Sequence, residues 1–255
     1  MIFRKVLFAA MAAFLAYAPA QATAQDQQPL SPAQTEAVRK LVRQYIMENP
    51  EIIAEAIEAL REKQRLAAEA EARKALVERR NEILNDPDSP VAGNREGDVT
   101  LVEFFDYRCT YCKSVYEDLL SVVEADGKVR LIFKEFPILG PESNYAARAA
   151  LAARAQNKYA EFHGALMRLR TPLNEKAVMK AAADVGLNAE RLKKDMASPQ
   201  IGEILKRNID LARALDINGT PAFVIGDRII PGALDKSTLK HLIEQTRKQK
   251  DKEKG

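Results

Sequence analysis

The chain has 255 residues, enough for one or two domains with a sizeable core. Its 39 Lys+Arg and 36 Asp+Glu leave a formal charge of only +3, so no strong field steers it toward nucleic acid or an anionic surface. The two cysteines, with His163 and His241 at unrelated positions, make no zinc-ligand pattern, and each histidine reads as a surface or partly packed helix residue.

Residues 1–24 read as a secretory leader. Arg4 and Lys5 form a basic start, Val6 to Ala18 is an apolar run short for a bilayer, and Ala18-Pro19-Ala20 and Ala22-Thr23-Ala24 offer small-residue cleavage patterns. A periplasmic protein with its leader removed is the expectation. A polar linker, 25–28, follows. Ser31-Pro32-Ala33-Gln34 then starts a helix, with a hydroxyl cap, a proline in the first turn and Gln at the capping-box position. Val38, Leu41, Val42, Tyr45 and Ile46 share one face; Asn49-Pro50 interrupts, and a second helix carries the stripe on through Ile52, Ile53, Ile57 and Leu60. From Arg61 to Lys74 helix formers dominate with only one large apolar residue, Leu66, so a solvated connector is expected, continuing as one helix to Leu84. The breaker cluster Asn85-Asp86-Pro87-Asp88-Ser89-Pro90 places the domain boundary, giving a helical region over 25–88 and a second domain over 89–255.

Val99 to Phe105 is an apolar run rich in strand formers, and Cys109-Thr110-Tyr111-Cys112 follows it, opening a helix through Val115, Leu119, Leu120 and Val123. Lys128 to Phe136 reads as a second strand. Residues from about 142 to 215 are helical in pattern. Two short strands, Ala222 to Ile225 and Arg228 to Ile230, flank a Gly226-Asp227 turn, and a last amphipathic helix begins near Asp235. Lys248, Lys250, Lys252 and Lys254 read as a basic frayed tail.

A C-x-x-C pair closes too small a loop to be a useful staple, and export is where disulfides persist, so the pair points to chemistry. At a strand-to-helix junction the first sulfur meets free N–H groups and the positive end of the helix dipole, which favour thiolate. Cys109 is therefore the expected nucleophile. Cys112, about one turn inside, is the expected resolving thiol. Lys113 after the second cysteine excludes a haem attachment motif. No cofactor is expected beyond a redox-active Cys109–Cys112 disulfide, and no resident metal.

EFFDYRCTYCK, followed far downstream by GTPAFVIGDRIIPGAL, resembles the DsbA-like branch of the thioredoxin superfamily. YIMENPEIIAEAIEAL together with SPVAGNREGDVTLVEFFDYRC is most similar to its exported, stalked ScsC-type members. The resemblance implies an α/β fold: a thioredoxin core with an inserted helical domain, preceded by a helical oligomerisation stalk. It implies that Thr220-Pro221 is a cis-proline loop offering backbone to a substrate strand, and that Glu103 is a buried acid beneath the disulfide with a raised pKa. Asp106, nearer the loop, reads as a turn residue. Thr110 stands where the family commonly has proline, and Thr110-Tyr111 carries no positive charge to tune the thiolate, which leaves the direction of net reaction open. The implied activity is protein thiol–disulfide exchange, isomerase or reductase ahead of dithiol oxidase, on exported cysteine-containing clients with a membrane redox partner resetting the pair. The copper association of ScsC-type proteins keeps a soft-metal binding role as the alternative. The stripe within 31–60 implies a homo-oligomer, a trimer by the same resemblance.

Overall fold

The computed structural model describes residues 29–254; the expected leader and the linker over 25–28 lie outside the described residues. The chain divides into two compact units, Met1–Ala59 and Leu60–Gly255.

In the first unit, α1 (Pro32–Glu48) starts as its sequence dictates. The Ser31 side chain accepts from the Gln34 N–H and Gln34 Oε1 accepts from the Ser31 N–H at 2.9 Å, a closed capping box. The helix ends at Asn49, and α2 (Glu51–Glu78) restarts just after Pro50, whose ring cannot continue an α-helix. No residue of α1 is buried, and Val38, Leu41, Val42, Tyr45, Ile53 and Ile57 are exposed.

The second unit begins within α2. The expected solvated connector over Arg61 to Lys74 is exposed through Glu71 apart from a half-buried Ala68, but Ala72 near its end and Ala75 just beyond it are buried. They sit one helical turn apart, so small side chains bring the backbone close without the large apolar residues that would have signalled burial. The helix then breaks at Arg79, and α3 (Arg80–Leu84) buries Ile83. The expected boundary at 85–90 therefore falls well inside the second unit. Its breaker cluster is pinned: the fully buried Lys134 ammonium donates to Asp86 Oδ2 at 2.9 Å and to the Glu82 carbonyl at 2.8 Å.

A five-stranded sheet of order β1-β3-β2-β4-β5 forms the centre. β2 (Val99–Phe105) pairs in parallel with β3 (Val129–Glu135), joined across α4 (Thr110–Asp126), which Gly127 ends at φ 67°. β4 (Ala222–Ile225) lies antiparallel to β2, and β5 (Arg228–Pro231) antiparallel to β4. An edge strand the sequence reading did not contain, β1 (Val91–Gly93), adds antiparallel to β3; three residues carry too little pattern to signal a strand. Between β3 and β4 stand five helices, α5 (Pro141–Ala153), α6 (Tyr159–Arg168), α7 (Glu175–Asp184), α8 (Ala189–Met196) and α9 (Pro199–Ala214), as the expected insertion. The last helix, α10 (Lys236–Lys254), runs through the expected frayed tail, because Arg247 grips Asp98 and Asp126 and Lys250 Nζ donates to the Asp98 carbonyl.

Alternate residues of β2 serve two cores. Leu101 and Phe105 pack into the cluster containing α4, α10 and the insertion helices; Val102 and Phe104 face the cluster holding Ala75, Ile83, Leu215 and Ile217. The register places Glu103 on the first face, between Phe133 of β3 and Phe223 of β4.

Candidate active site

Cys109 is the N-cap of α4. Its backbone is extended, and its sulfur accepts the Cys112 N–H at 3.4 Å, taking the position a serine or aspartate side chain holds at an ordinary helix start. The same sulfur lies 3.1 Å from the Thr220 carbonyl, to which it donates only while protonated. Both cysteines are free thiols, Cys109 with 6% of its surface exposed and Cys112 with none. Thr110 and Tyr111 between them are exposed.

The two sulfurs stand in opposite electrostatic situations. Hydrogen bonding from the Cys112 side chain, with the Thr220 side chain and the N–H groups of Cys112 and Tyr111, outweighs burial and brings the Cys109 thiol down to about 5. Burial, the hydrogen bond with Cys109 and the Glu103 charge push the Cys112 thiol up. At neutral pH Cys109 is thus a thiolate and Cys112 a thiol. The asymmetry is the one needed for attack by one sulfur and retention of the proton on the other.

Thr220–Pro221 is a cis peptide bond, as the family resemblance implied, and the Gly232 N–H fixes the Pro221 carbonyl at 2.9 Å. From Tyr111 a groove of about 750 Å³ crosses Thr220 and Pro221 to Ile230, walled on its far side by Arg73 and Leu76 of α2. Glu103 points inward: it is 1% exposed, its Oε2 has no hydrogen-bond partner among the described residues, and burial, then the Cys109 charge, raises its carboxyl to about 8.

Sequence reasoning missed three buried polar residues around the site. Asp106 is no turn ornament. It is 1% exposed, and its carboxylate accepts the N–H groups of Arg108, Ile138 and Leu139 and the Ser143 hydroxyl, tying the segment before Cys109 to the loop after β3. Glu135, ending β3, accepts the hydroxyls of Tyr107 at 3.0 Å and Tyr159 at 2.9 Å, and burial raises its carboxyl well above the usual range. His163 is fully buried, rather than at the surface or only partly packed. Its Nδ1 is 2.9 Å from the Tyr107 hydroxyl, and burial lowers its pKa to about 3. The mostly apolar strand running into Asp106 was a usable sign of burial; the Glu135–Tyr107–His163 set joins β3, the site loop and α6, and no local pattern marks it. No group of three or more His, Cys, Asp or Glu suited to a metal ion occurs among the described residues.

A parallel β-α-β unit with a cysteine capping its helix opposite a cis-proline loop defines the thioredoxin class of site, and the comparisons place the chain within it. Residues 100–244 match the DSBA-like thioredoxin domain, and residues 34–67 match the copper resistance protein ScsC N-terminal domain. The chain belongs to the DSBA-like thioredoxin domain family. It is similar to a thioredoxin-like oxidoreductase from Silicibacter pomeroyi DSS-3, with 47% identity over 66% of this chain and 98% of that one at a TM-score of 0.65. It is also similar to Proteus mirabilis ScsC in a transitional conformation, with 34% identity over 86% of this chain and all of that one at a TM-score of 0.64. Among curated relatives, Na(+)/H(+) antiporter NhaA 3 of Salinispora tropica is 28% identical over 146 residues, 56% of this chain. The chain spans only about a quarter of the length of the antiporter relatives it matches.

Proposed function

We propose that the protein is a periplasmic thiol–disulfide exchange enzyme for exported, cysteine-containing client proteins, acting as isomerase and reductase ahead of dithiol oxidase. The observation that carries this reading is the Cys109 sulfur itself, at once the cap of α4 and in contact with the Thr220 carbonyl of the cis-proline loop. In the proposed reaction the Cys109 thiolate attacks one sulfur of a client disulfide. A Cys109–client bond forms, the client disulfide breaks, and the departing client sulfur takes up a proton. Cys112 then loses its proton to Glu103 and attacks Cys109, forming the Cys109–Cys112 disulfide and releasing the client's second thiol. A membrane redox partner returns the pair to the dithiol.

Thr220 and Pro221 present backbone to the client, and Thr110 and Tyr111 set the poise of the pair. Residues 31–60 are proposed to join copies of the chain, as a trimer on the ScsC-type resemblance; the exposed aliphatic stripe of α1 and early α2 supports the association. Joined domains suit reshuffling, in which a wrong disulfide must be opened and its thiols held near a second exchange site. The potential of the Cys109/Cys112 couple against a glutathione buffer tests the direction. A value near about −180 mV supports isomerisation and one near about −270 mV reduction. A value near about −120 mV would make the protein an oxidase and overturn the ordering.

A further inference from the structure

A second cleft, sharing no residue with the groove at Pro221, opens at Thr110 directly beside Cys109 and measures about 630 Å³. Three cations line it: Arg108 before the nucleophile, Lys113 one turn into α4, and Arg170 just after α6. Its single acid, Glu142, is taken by Arg108 at 3.1 Å. Lys113 is half-buried, and the hydrogen bond it makes is to the neutral Leu169 carbonyl, at 2.7 Å. Neither Lys113 nor Arg170 has a carboxylate partner among the described residues. Burial and then the Arg170 charge pull the Lys113 ammonium down, against a smaller opposing pull from the buried Asp106 carboxylate, which is already committed to four other donors, so the two cations still repel across the cleft. Like charges left facing each other in a concave, partly desolvated site cost stability, and a bound anion relieves that cost.

We infer that this cleft receives an acidic side chain flanking the client cysteine, so that the protein exchanges fastest with disulfides set among Asp and Glu. The inference rests on the thiol–disulfide exchange reading above. It concerns the first step alone: the Cys109–client bond forms, the client disulfide breaks, and its electron pair leaves on the second client sulfur, which is protonated from water. The acidic group is bound and not consumed. Its contribution is to hold the client disulfide against Cys109 and to favour the negatively charged encounter over a positively charged one.

The test uses the full-length protein carrying Cys112→Ser, so that exchange stops at the mixed disulfide. Its substrates are two disulfide-linked peptides identical except for Asp and Glu or two Lys beside the cysteine. The acidic peptide should react several-fold faster at low ionic strength, and about 0.5 M salt should largely remove the difference. Arg170→Gln, at an exposed position, should cut the acidic-to-basic rate ratio roughly two- to fivefold, and Arg170→Glu should invert it. Arg168→Gln changes net charge equally but removes a cation outside the cleft that pairs with Glu117, and it should leave the ratio in place. Exchange of both peptides at equal rates, or an equal change of ratio in the Arg168 and Arg170 variants, overturns this inference and leaves the exchange reading standing. Failure of both peptides to form any mixed disulfide overturns the exchange reading, and this inference with it.

Discussion

Glu103 holds a carboxyl where two phenylalanines flank it across the sheet and water does not reach, and that placement fixes two expectations of opposite sign. For catalysis, an acid at about 8 accepts a proton only once ionised, so the resolving step should accelerate as pH rises through 8. Glu103→Gln should slow that step on the order of 10²-fold and flatten its pH profile, measured by stopped-flow decay of a client mixed disulfide. An unchanged profile would remove Glu103 from the mechanism. For stability, a folded-state pKa above the unfolded value means the unfolded chain ionises first, so the native state loses ground progressively between about 4.5 and 8. Glu103→Gln should therefore raise Tm, by a margin that widens over that range and then levels. At the neighbouring thiols, iodoacetamide should label Cys109 with a midpoint near 5 and leave Cys112 untouched in the folded dithiol; equal labelling at neutral pH would refute the assignment.

Among the elements, those whose information is local were readable from the sequence. Ser31 to Gln34 spells a capping box, β2 is a mostly apolar run of strand formers, and C-x-x-C just after it marks a helix start. β1 was not readable, because three residues of an edge strand have no period to detect. The packing of α2 was hidden for another reason: Ala72 and Ala75 bury as firmly as leucines but look, in sequence, like helix filler. Glu135 and His163 were hidden because their partners come from other elements, and a carboxylate reads the same whether it meets water or tyrosines. The Lys134–Asp86 pair is of this kind, and it pins the loop after α3 to β3. Removing one member of a buried pair strands the other, so Asp86→Ala should cost about 3 kcal/mol in urea unfolding. The double variant with Lys134→Met should recover most of that loss, and its failure to do so would show that Asp86 acts through Ser89 and Asp88 instead.

For the molecule as a whole, the stripe on α1 and early α2 is proposed to make one assembly of several chains. The burial of Ala72, Ala75 and Ile83 in the second unit says where to cut. A chain starting at Leu60 keeps that packing, whereas one starting at Asp86 would expose the core it covers. Light scattering should find a chain that includes residues 29–59 oligomeric and the Leu60 form monomeric. The shortened form should retain dithiol oxidation while losing most activity toward scrambled disulfides. Leu41→Glu with Val42→Glu in the full chain should give the same result without truncation, and an unsubstituted chain including residues 29–59 that is monomeric from the start would refute the assembly.

A helix cap made of sulfur behaves unlike one made of oxygen, because its charge is not permanent. While Cys109 is a thiolate, α4 begins on an anion that accepts the Cys112 N–H; once that sulfur is bonded to another sulfur, the anion is gone and the first turn keeps only a weak neutral acceptor. On the proposed chemistry every turnover would therefore loosen and retighten the start of α4. The Cys112 amide proton should exchange with solvent deuterium more slowly in the dithiol than in the disulfide form. The gap should close as pH falls through about 5, where Cys109 takes up a proton and the two redox states present α4 with the same uncharged cap.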